Sequence, residues 1–260
     1  MVSHDVNQSV SLARRPINSA ARVLPDGVVH RFVAWSFRLF REQRMLFLDE
    51  LVDPHRGAID VGAWWGPWSY WLSRRCPAVW TFEPNPRLAR TLKRVLRPNV
   101  QVEQVGLSDR AGTATLYLPH QFGNDSLATL EIGQKMVSAD EIPIEVRRLD
   151  DYSFNDIGFV KIDVEGHELA MLKGSVELFQ RCRPTVLIEV EQRFHERPIT
   201  EIFSILTNLN YSGWIRRERR WEPLSTFSVE RDQYPFQHTP KDTRYINNFV
   251  FTPTHKSPGI

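Results

Sequence analysis

The chain has 260 residues, of which 42% are hydrophobic and 25% are charged, values typical of one globular α/β domain with modest additions at its ends. Its formal net charge of +2 gives no overall attraction for a polyanion, so we expect no nucleic acid among its partners. Charges interrupt the apolar runs well short of the roughly 20 residues that a membrane span needs, and residues 1–10 lack the apolar core of a signal peptide. We therefore expect a cytoplasmic protein without a transmembrane segment.

Residues 1–55 are predicted to form an N-terminal arm followed by helices. Residues 1–25 are polar and lack periodicity, which is typical of a loose arm or of a lid over a site. Between residues 28 and 51, apolar side chains recur every three or four positions, as one face of a helical region requires. The side chains on this face are Val28, Phe32, Trp35, Leu39 and Leu46.

Residues 56–260 show an alternation of strands and helices. Short apolar runs predict buried strands, and helical stretches separate them. The predicted strands are residues 58–61, 79–82, 100–107, 159–164 and 185–190. Such alternation indicates parallel strands joined by crossover helices. Residues 121–143 are expected to form a long excursion over the sheet, and residues 211–260 a C-terminal extension that ends in an antiparallel strand.

The first strand runs into a turn that is typical of cofactor-binding proteins. Its sequence is Asp60-Val61-Gly62-Ala63, and a helical segment follows. Because Gly62 has no Cβ, a ligand can approach the backbone there, and the start of the following helix offers free N–H groups. One such turn is weak evidence by itself, since a tight connection has the same pattern.

A second candidate binding residue follows about twenty residues later. Glu83 ends the second predicted strand and precedes Pro84 and Asn85. A carboxylate at that position can accept hydrogen bonds from both hydroxyls of a ribose, and it favours a ribose without a phosphate. The spacing from Gly62 favours this role over that of a solvated surface glutamate.

Together with two further motifs, these segments resemble the FkbM family of methyltransferases. The further motifs are Leu107-Ser108-Asp109 and Lys161-Ile162-Asp163-Val164-Glu165-Gly166, and the likeness covers roughly residues 56–190. The resemblance implies an α/β, Rossmann-like methyltransferase sheet of seven strands, mostly parallel with an antiparallel last strand and with helices on both faces. It also implies S-adenosylmethionine as cofactor and transfer to a hydroxyl oxygen of a sugar or natural product.

The resemblance also assigns roles to residues. Asp60 and Gly62 would frame the methionine end of the cofactor, Glu83 would hold the ribose, and Ser108 and Asp109 would lie near the adenine. The residues that flank these motifs, Ala63, Trp64, Pro84 and Asn85, complete the expected cofactor site. Relatives usually have Gly-Ala-Asn-x-Gly where this chain has Trp64 and Trp65, so an aromatic wall is expected to replace the polar contact of the asparagine.

Asp163 is the leading catalytic candidate. The resemblance places it beside the sulfonium, where a carboxylate can orient a hydroxyl or act as base; capping of the next helix is the structural alternative. His167 is a second candidate base. Asp163 and Glu189, at neighbouring strand ends, form a candidate site for Mg²⁺, which would lower the pKa of the hydroxyl.

The acceptor site is expected to come from residues 1–25, residues 121–142 and the tail. Aromatic and arginine residues of the tail suit a small-molecule or oligosaccharide acceptor, although structural use in a core and on the surface is the favoured interpretation. They include Trp214, Trp221, Tyr234, Phe236, Tyr245, Arg216, Arg217, Arg219 and Arg220. The sequence therefore predicts an O-methyltransferase and leaves open whether the chain forms a homo-oligomer. The alternatives are a nicotinamide-dependent oxidoreductase or epimerase, and a non-catalytic cofactor-binding scaffold.

Overall fold

The computed structural model describes residues 24–41, 45, 47–119, 129–130, 139–239, 242–254 and 257–258. Within them the strands are β1 Gly57–Val61, β2 Val79–Phe82, β3 Val100–Glu103, β4 Gly106–Leu107, β5 Gly112–Pro119, β6 Ala139–Arg147, β7 Ile157–Ile162, β8 Thr185–Glu189, β9 Tyr211–Arg217, β10 Arg220–Pro223 and β11 Asn248–Pro253. The helices are α1 Asp26–Ser36, α2 Leu48–Leu51, α3 Pro67–Leu72, α4 Pro86–Val95, α5 Glu168–Lys173, α6 Val176–Cys182, α7 Thr200–Asn208 and α8 Val229–Asp232. A π-helical turn, Phe37–Arg41, extends α1.

The main sheet has the strand order β10-β9-β11-β8-β7-β1-β2-β3. Strands β3, β2, β1, β7 and β8 are parallel, whereas β11 is antiparallel to both β8 and β9. The predicted parallel sheet with an antiparallel last strand is confirmed. Because parallel strands need crossover connections, the carboxyl ends of β1, β2, β7 and β8 meet at one edge of the sheet.

Both faces of the main sheet are buried. Ile59, Val160 and Ile188 belong to one apolar cluster, which also contains residues of α5, α6 and α7. Their sequence neighbours Ala58, Phe159 and Leu187 belong to a second cluster, with residues of α1, α2 and α3. Since successive strand residues point to opposite faces, this alternation confirms helices on both sides.

The main sheet contains one strand more than the seven that were expected. The eighth strand, β10, forms a hairpin with β9, in which Arg217 pairs with Arg220. The two residues of its turn, Glu218 and Arg219, have φ values of 45° and 73°. Such a turn normally carries Asn or Gly, so the sequence offered no hairpin signal here.

A second sheet, of order β4-β6-β5, corrects two expectations. Residues 100–107 are not one strand, because the chain leaves the main sheet after β3 and β4 joins the small sheet. Residues 139–143 are not part of an excursion, since they begin β6, which pairs antiparallel with β5. Residues 121–128 and 131–138 of the predicted excursion lie outside the described residues, as do residues 1–23 of the predicted arm.

Helix α1 confirms the predicted helical region, but not through the face that the sequence indicated. Its buried residues are Val29, His30, Val33 and Ala34. Four of the side chains selected by spacing are exposed instead: Val28 by 51%, Phe32 by 59%, Trp35 by 48% and Leu39 by 57%. The fifth, Leu46, lies outside the described residues. Apolar residues occupy both faces of α1, so periodicity did not indicate which face is buried. None of the described helices is long and apolar enough to cross a membrane.

Candidate cofactor and active site

A cavity opens at the carboxyl edge of the main sheet, where the sequence predicted a site. It brings together six of the predicted residues with Glu165, to which the sequence assigned no role. The polar and turn residues at the cavity are Gly62, Trp64, Glu83, Pro84, Asp163, Glu165 and His167. Apolar walls are added by Val61, Phe82, Val105, Leu107, Leu116, Leu130 and Val164, and Gly106 completes the lining.

Gly62 allows the turn after β1 to pass directly against the end of β7. Its φ is +72°, and a Cβ placed on it would lie 1.8 Å from the carbonyl oxygen of Asp163. Backbone geometry and close approach therefore both require glycine at this position. The sequence predicted that a ligand would approach the backbone at Gly62. In the structure, the backbone carbonyl of Asp163 at the end of β7 approaches it instead.

Replacement of Gly62 by alanine is expected to destabilise the fold. The left-handed conformation alone costs roughly 1–2 kcal/mol for a residue with a Cβ, and displacement of the Asp163 carbonyl adds to that cost. Thermal unfolding of Gly62→Ala should show a free energy of unfolding lower by at least about 2 kcal/mol. Gly27→Ala is the matched control, because a Cβ on Gly27 has no atom within 4 Å. That change lies in helix α1 and should stabilise by roughly 0.5–1 kcal/mol; equal effects of the two changes would contradict the proposed role of Gly62.

Glu83 lies at the end of β2 and is held by backbone amides. Its Oε2 accepts a hydrogen bond from the N–H of Trp64 at 2.7 Å, and its Oε1 accepts one from the N–H of Asn85 at 2.9 Å. Burial raises the pKa of Glu83 to about 7, although these two amide hydrogen bonds oppose the shift. Each oxygen keeps a second lone-pair site, so the carboxylate can accept two further hydrogen bonds in the cavity.

Asp60 does not line the cavity. Its Oδ2 accepts hydrogen bonds from the N–H of Ser69 at 2.9 Å and from the Ser69 hydroxyl at 2.5 Å. Burial raises its pKa, while the nearby Lys161 and the Ser69 hydrogen bonds act in the opposite direction. Asp60 therefore fixes helix α3 against β1, beneath the turn.

Two further residues from the predicted cofactor set also turn away from the cavity. Asn85 caps helix α4, because its side-chain oxygen accepts a hydrogen bond from the N–H of Arg87 at 3.0 Å. Ala63 packs in an apolar cluster with Ala89, Leu92 and Val102. These side chains shape the walls of the site without facing it.

Trp64 lies where the family resemblance predicts an asparagine. Its φ of 52° is in the left-handed region, which asparagine and glycine adopt more readily than tryptophan. The ring lies 5.3 Å from that of Phe37 and lines the cavity, as expected for an aromatic wall. Its indole N–H is buried and has no acceptor among the described residues. Trp65, in contrast, packs on the buried face of α1 with Val29 and Val33.

Lys161 forms a buried ion pair beneath the cavity. Its ammonium lies 3.2 Å from Oδ2 of Asp163 and 3.8 Å from Oδ1 of Asp60. Burial tends to lower the pKa of Lys161, but the two aspartates outweigh it and the pKa is raised. Asp163 is thus at the predicted position, with part of its hydrogen-bonding capacity used by a cation.

Glu165 is the functional candidate that sequence reasoning missed. Its φ is +39°, and the turn it occupies is anchored by the Thr129 hydroxyl, which donates to the Glu165 carbonyl at 2.7 Å. Burial raises the pKa of Glu165 well above its usual range, and the nearby carboxylates Asp163, Glu191 and Glu189 add to the shift. The signal in the sequence was its presence in the Asp163-Val164-Glu165 motif.

His167 and Ser108 lie at the side of the cavity formed by β4. The Nε2 atom of His167 is 3.0 Å from the Ser108 hydroxyl oxygen, which also approaches Asp109 at 3.3 Å. Asp109 is partly exposed, forms an ion pair with Arg110 and, like Ser108, is not among the lining residues. His167 therefore lies beside Ser108, one of the two residues that the resemblance predicts near the adenine.

Glu189 is held by the C-terminal strand rather than directed into the cavity. Its oxygens accept hydrogen bonds from the side-chain amides of Asn247 at 2.6 Å and Asn248 at 3.1 Å. Among the described residues, no group of three or more His, Cys, Asp or Glu side chains is arranged to hold a metal ion. With Asp163 paired to Lys161, the described residues do not fit Mg²⁺.

Of the tail residues, those on β9 and β10 have structural contacts. Arg216 forms an ion pair with Glu50, and the Trp221 indole donates to the same carboxylate. The Trp214 indole donates to the Thr252 hydroxyl. The Tyr245 hydroxyl donates to Glu191 at 2.5 Å. The tail is thus mainly part of the fold.

A parallel sheet whose carboxyl edge carries a glycine turn and a strand-end glutamate defines an α/β protein of the nucleotide-cofactor-binding class. A model of the methyltransferase FkbM domain matches residues 55–212, and the chain belongs to that methyltransferase family. This assignment leaves the oxidoreductase alternative without support.

Two similar fungal proteins are also named as methyltransferases. The chain is 29% identical over 202 residues to methyltransferase sdnD of Sordaria araneosa, which covers 64% of this chain and 76% of that protein. It is 27% identical over 141 residues to methyltransferase 1 of Beauveria bassiana, which covers 45% and 57%. A solved FkbM methyltransferase from Methylobacillus flagellatus aligns with a TM-score of 0.47 and 18% identity, over 92% of this chain and 59% of that one. The present chain thus spans about three fifths of that bacterial chain.

Proposed function

We propose that this protein is an S-adenosylmethionine-dependent O-methyltransferase that acts on a hydroxyl group of a sugar, an oligosaccharide or a glycosylated natural product. The observation that carries the proposal is the shared cavity of Glu83, Asp163 and Glu165 at the carboxyl edge of the sheet. One carboxylate suits a ribose, and the other two suit an acceptor hydroxyl.

The described residues fit such a cofactor. The free lone pairs of Glu83 match the two hydroxyls of a ribose, and the apolar residues Val105, Leu107 and Leu130 offer a wall for a flat base. Trp64 adds an aromatic ring to the lining of the same cavity. When bound, S-adenosylmethionine supplies a methyl group on a positively charged sulfur.

The two carboxylates that follow β7, Asp163 and Glu165, would bind the acceptor hydroxyl and accept its proton. In the proposed transfer, the acceptor oxygen would form a bond to the methyl carbon that the cofactor supplies, and the electrons of the broken carbon–sulfur bond would stay on the cofactor. The hydroxyl proton passes to a carboxylate, for which we propose Glu165, while Asp163 orients the hydroxyl. Glu165 suits this task because its carboxylate neighbours favour the protonated product.

Affinity for S-adenosylhomocysteine is expected to rise with pH. Only ionised Glu83 accepts both ribose hydroxyls, and its pKa is raised by burial to about 7. Between about pH 6 and about pH 8, the ionised fraction grows roughly tenfold, so Kd should fall by a similar factor. Isothermal titration calorimetry at several pH values measures this Kd directly. Glu83→Gln should remove the pH dependence, and an equally steep fall of Kd in that variant would contradict the assignment.

Labelled methyl transfer tests the proposed function. Purified protein and methyl-labelled S-adenosylmethionine are incubated with hydroxylated acceptors, sugars first, with added Mg²⁺ or with a chelator. We expect transfer to a hydroxyl oxygen that the chelator leaves unchanged, since Asp163 and Glu189 are engaged by other groups. Cofactor binding without transfer to any acceptor would favour the scaffold alternative, and chelator-sensitive transfer would restore the metal hypothesis.

A further inference from the structure

An apolar stripe runs along the outer face of α1 and the turn that extends it. The stripe consists of Leu24, Val28, Phe32, Trp35 and Leu39, and between 46% and 59% of each side chain is exposed. They are five of the six large hydrophobic residues that the described part of the chain exposes. Exposed apolar residues on one face at helical spacing indicate a contact surface rather than scattered surface residues.

A basic cavity of about 450 Å³ adjoins this stripe, and Val28 belongs to both. Its described lining includes the arginines Arg31, Arg74 and Arg97 and contains no aspartate or glutamate. Because it contains the carboxyl ends of α3 and α4, this cavity lies towards the amino edge of the main sheet, opposite the candidate active site.

Within the described part of the chain, no carboxylate neutralises these three arginines. Neither Arg31 nor Arg97 forms an ion pair with a residue that the structure describes. Arg74 is stacked 3.4 Å above the ring of Tyr70 and donates to the Tyr70 carbonyl at 2.6 Å. Burial lowers the pKa of Arg74, and the positive charges of Arg97 and Arg31 add to this shift. An anion bound in the cavity would relieve that repulsion.

We propose that this surface docks on an anionic lipid bilayer. The apolar stripe would enter the interface between headgroups and acyl chains, while Arg31, Arg74 and Arg97 would contact lipid phosphates. Helices that lie in the interface combine an apolar face bearing Trp, Phe and Leu with basic side chains. Juxtaposed arginines add attraction to the negative surface of such a bilayer.

The charge pattern favours a bilayer over a second copy of the chain. A symmetric dimer buries the same patch on both subunits, so the arginine cavities of both copies would share one interface. Among the residues that the structure describes, the lining offers no carboxylate to neutralise the opposing arginines. A bilayer that contains anionic lipid supplies the missing negative charge together with an apolar phase.

Cosedimentation of the full chain with vesicles tests the proposal. Vesicles of phosphatidylglycerol and phosphatidylcholine are compared with vesicles of phosphatidylcholine alone, at low and high salt. We expect binding to the anionic vesicles to be at least about tenfold stronger and to weaken with salt. Equal binding to both kinds of vesicle, or binding to neither, would overturn the proposal.

Variants of exposed residues separate the two parts of the surface. Phe32→Ser with Trp35→Ser, and Arg31→Gln with Arg97→Gln, should each reduce vesicle binding about tenfold or more. Tyr234→Ser is the apolar control, since Tyr234 is 49% exposed and lies outside the stripe. Arg197→Gln with Arg244→Gln is the charge control, because it also removes two positive charges but lies outside the basic cavity. S-adenosylhomocysteine affinity should be unchanged in every variant, which keeps this test independent of the proposed function.

Two other results would overturn the proposal. A dimer in solution that Phe32→Ser with Trp35→Ser dissociates would show that a second copy covers the stripe. Inorganic phosphate binding that requires Arg31 and Arg97, without vesicle binding, would show a small-anion site. Light scattering and calorimetry distinguish these results from vesicle binding.

Discussion

Replacement of Glu83 by alanine is expected to weaken the binding of S-adenosylhomocysteine by about 10²-fold or more. A hydrogen bond to a charged group contributes roughly 1.5–3 kcal/mol, and Glu83 is proposed to accept two from the ribose. The change also leaves the N–H groups of Trp64 and Asn85 without their acceptor. The turn that forms one wall of the cavity would therefore loosen as well. Isothermal titration calorimetry measures the loss of affinity.

Glu103→Ala is the matched control for this change. Glu103 ends β3, the strand next to β2, and does not line the cavity. We expect its affinity for S-adenosylhomocysteine to stay within about twofold of the unchanged protein. Because Glu83 is buried, circular dichroism must first show that Glu83→Ala is folded. A folded variant that keeps its affinity would contradict the ribose assignment.

The sequence predicted the edge of the sheet at which the site lies, because that prediction depends on local patterns. Strand ends follow from short apolar runs, and parallel strands bring their carboxyl ends to one edge. The sequence predicts that Gly62 lies in the turn after the first strand and that Glu83 and Asp163 end strands, and all three line the cavity. Whether a residue lies at a strand end is determined by the few residues next to it in the sequence, and so it can be predicted.

The direction of individual side chains could not be predicted in the same way. Asp60 turns to Ser69 because helix α3 begins close beneath it, and Asn85 is used as a helix cap. Both outcomes depend on where the following helix starts. Motif spacing places such residues near a site, but the contacts that engage their side chains come from the folded turn.

The environment of Glu165 required the folded chain. In the sequence, Glu189 and Glu191 are separated from β7 by helices α5 and α6. Both nevertheless add to the rise that burial causes in the pKa of Glu165. Their carboxylates meet because β7 and β8 are parallel neighbours. The exposed stripe on α1 illustrates a related limit, since a helix with two apolar faces does not reveal from its spacing which face is buried.

Replacement of Glu165 by glutamine is expected to lower kcat by about 10²–10⁴-fold, the range for loss of a general base, with S-adenosylhomocysteine affinity unchanged. Glutamine keeps the size of the side chain and removes the group that takes up the proton. Since burial and neighbouring carboxylates raise the pKa of Glu165, the rate of the unchanged enzyme should increase with pH above the usual carboxyl range. That limb of the profile should disappear in Glu165→Gln.

Glu177→Gln on helix α6 serves as the control, because that side chain is 64% exposed and should leave kcat and the pH profile unchanged. Glu165→Asp should restore part of the rate, because a base is present but its reach is shorter. Asp163→Asn separates the two carboxylates: an orienting group affects KM as well as kcat, and its loss leaves the pH limb in place. If Glu165→Gln keeps kcat within about threefold while Asp163→Asn abolishes the pH limb, Asp163 is the base, as its strand-end position first indicated.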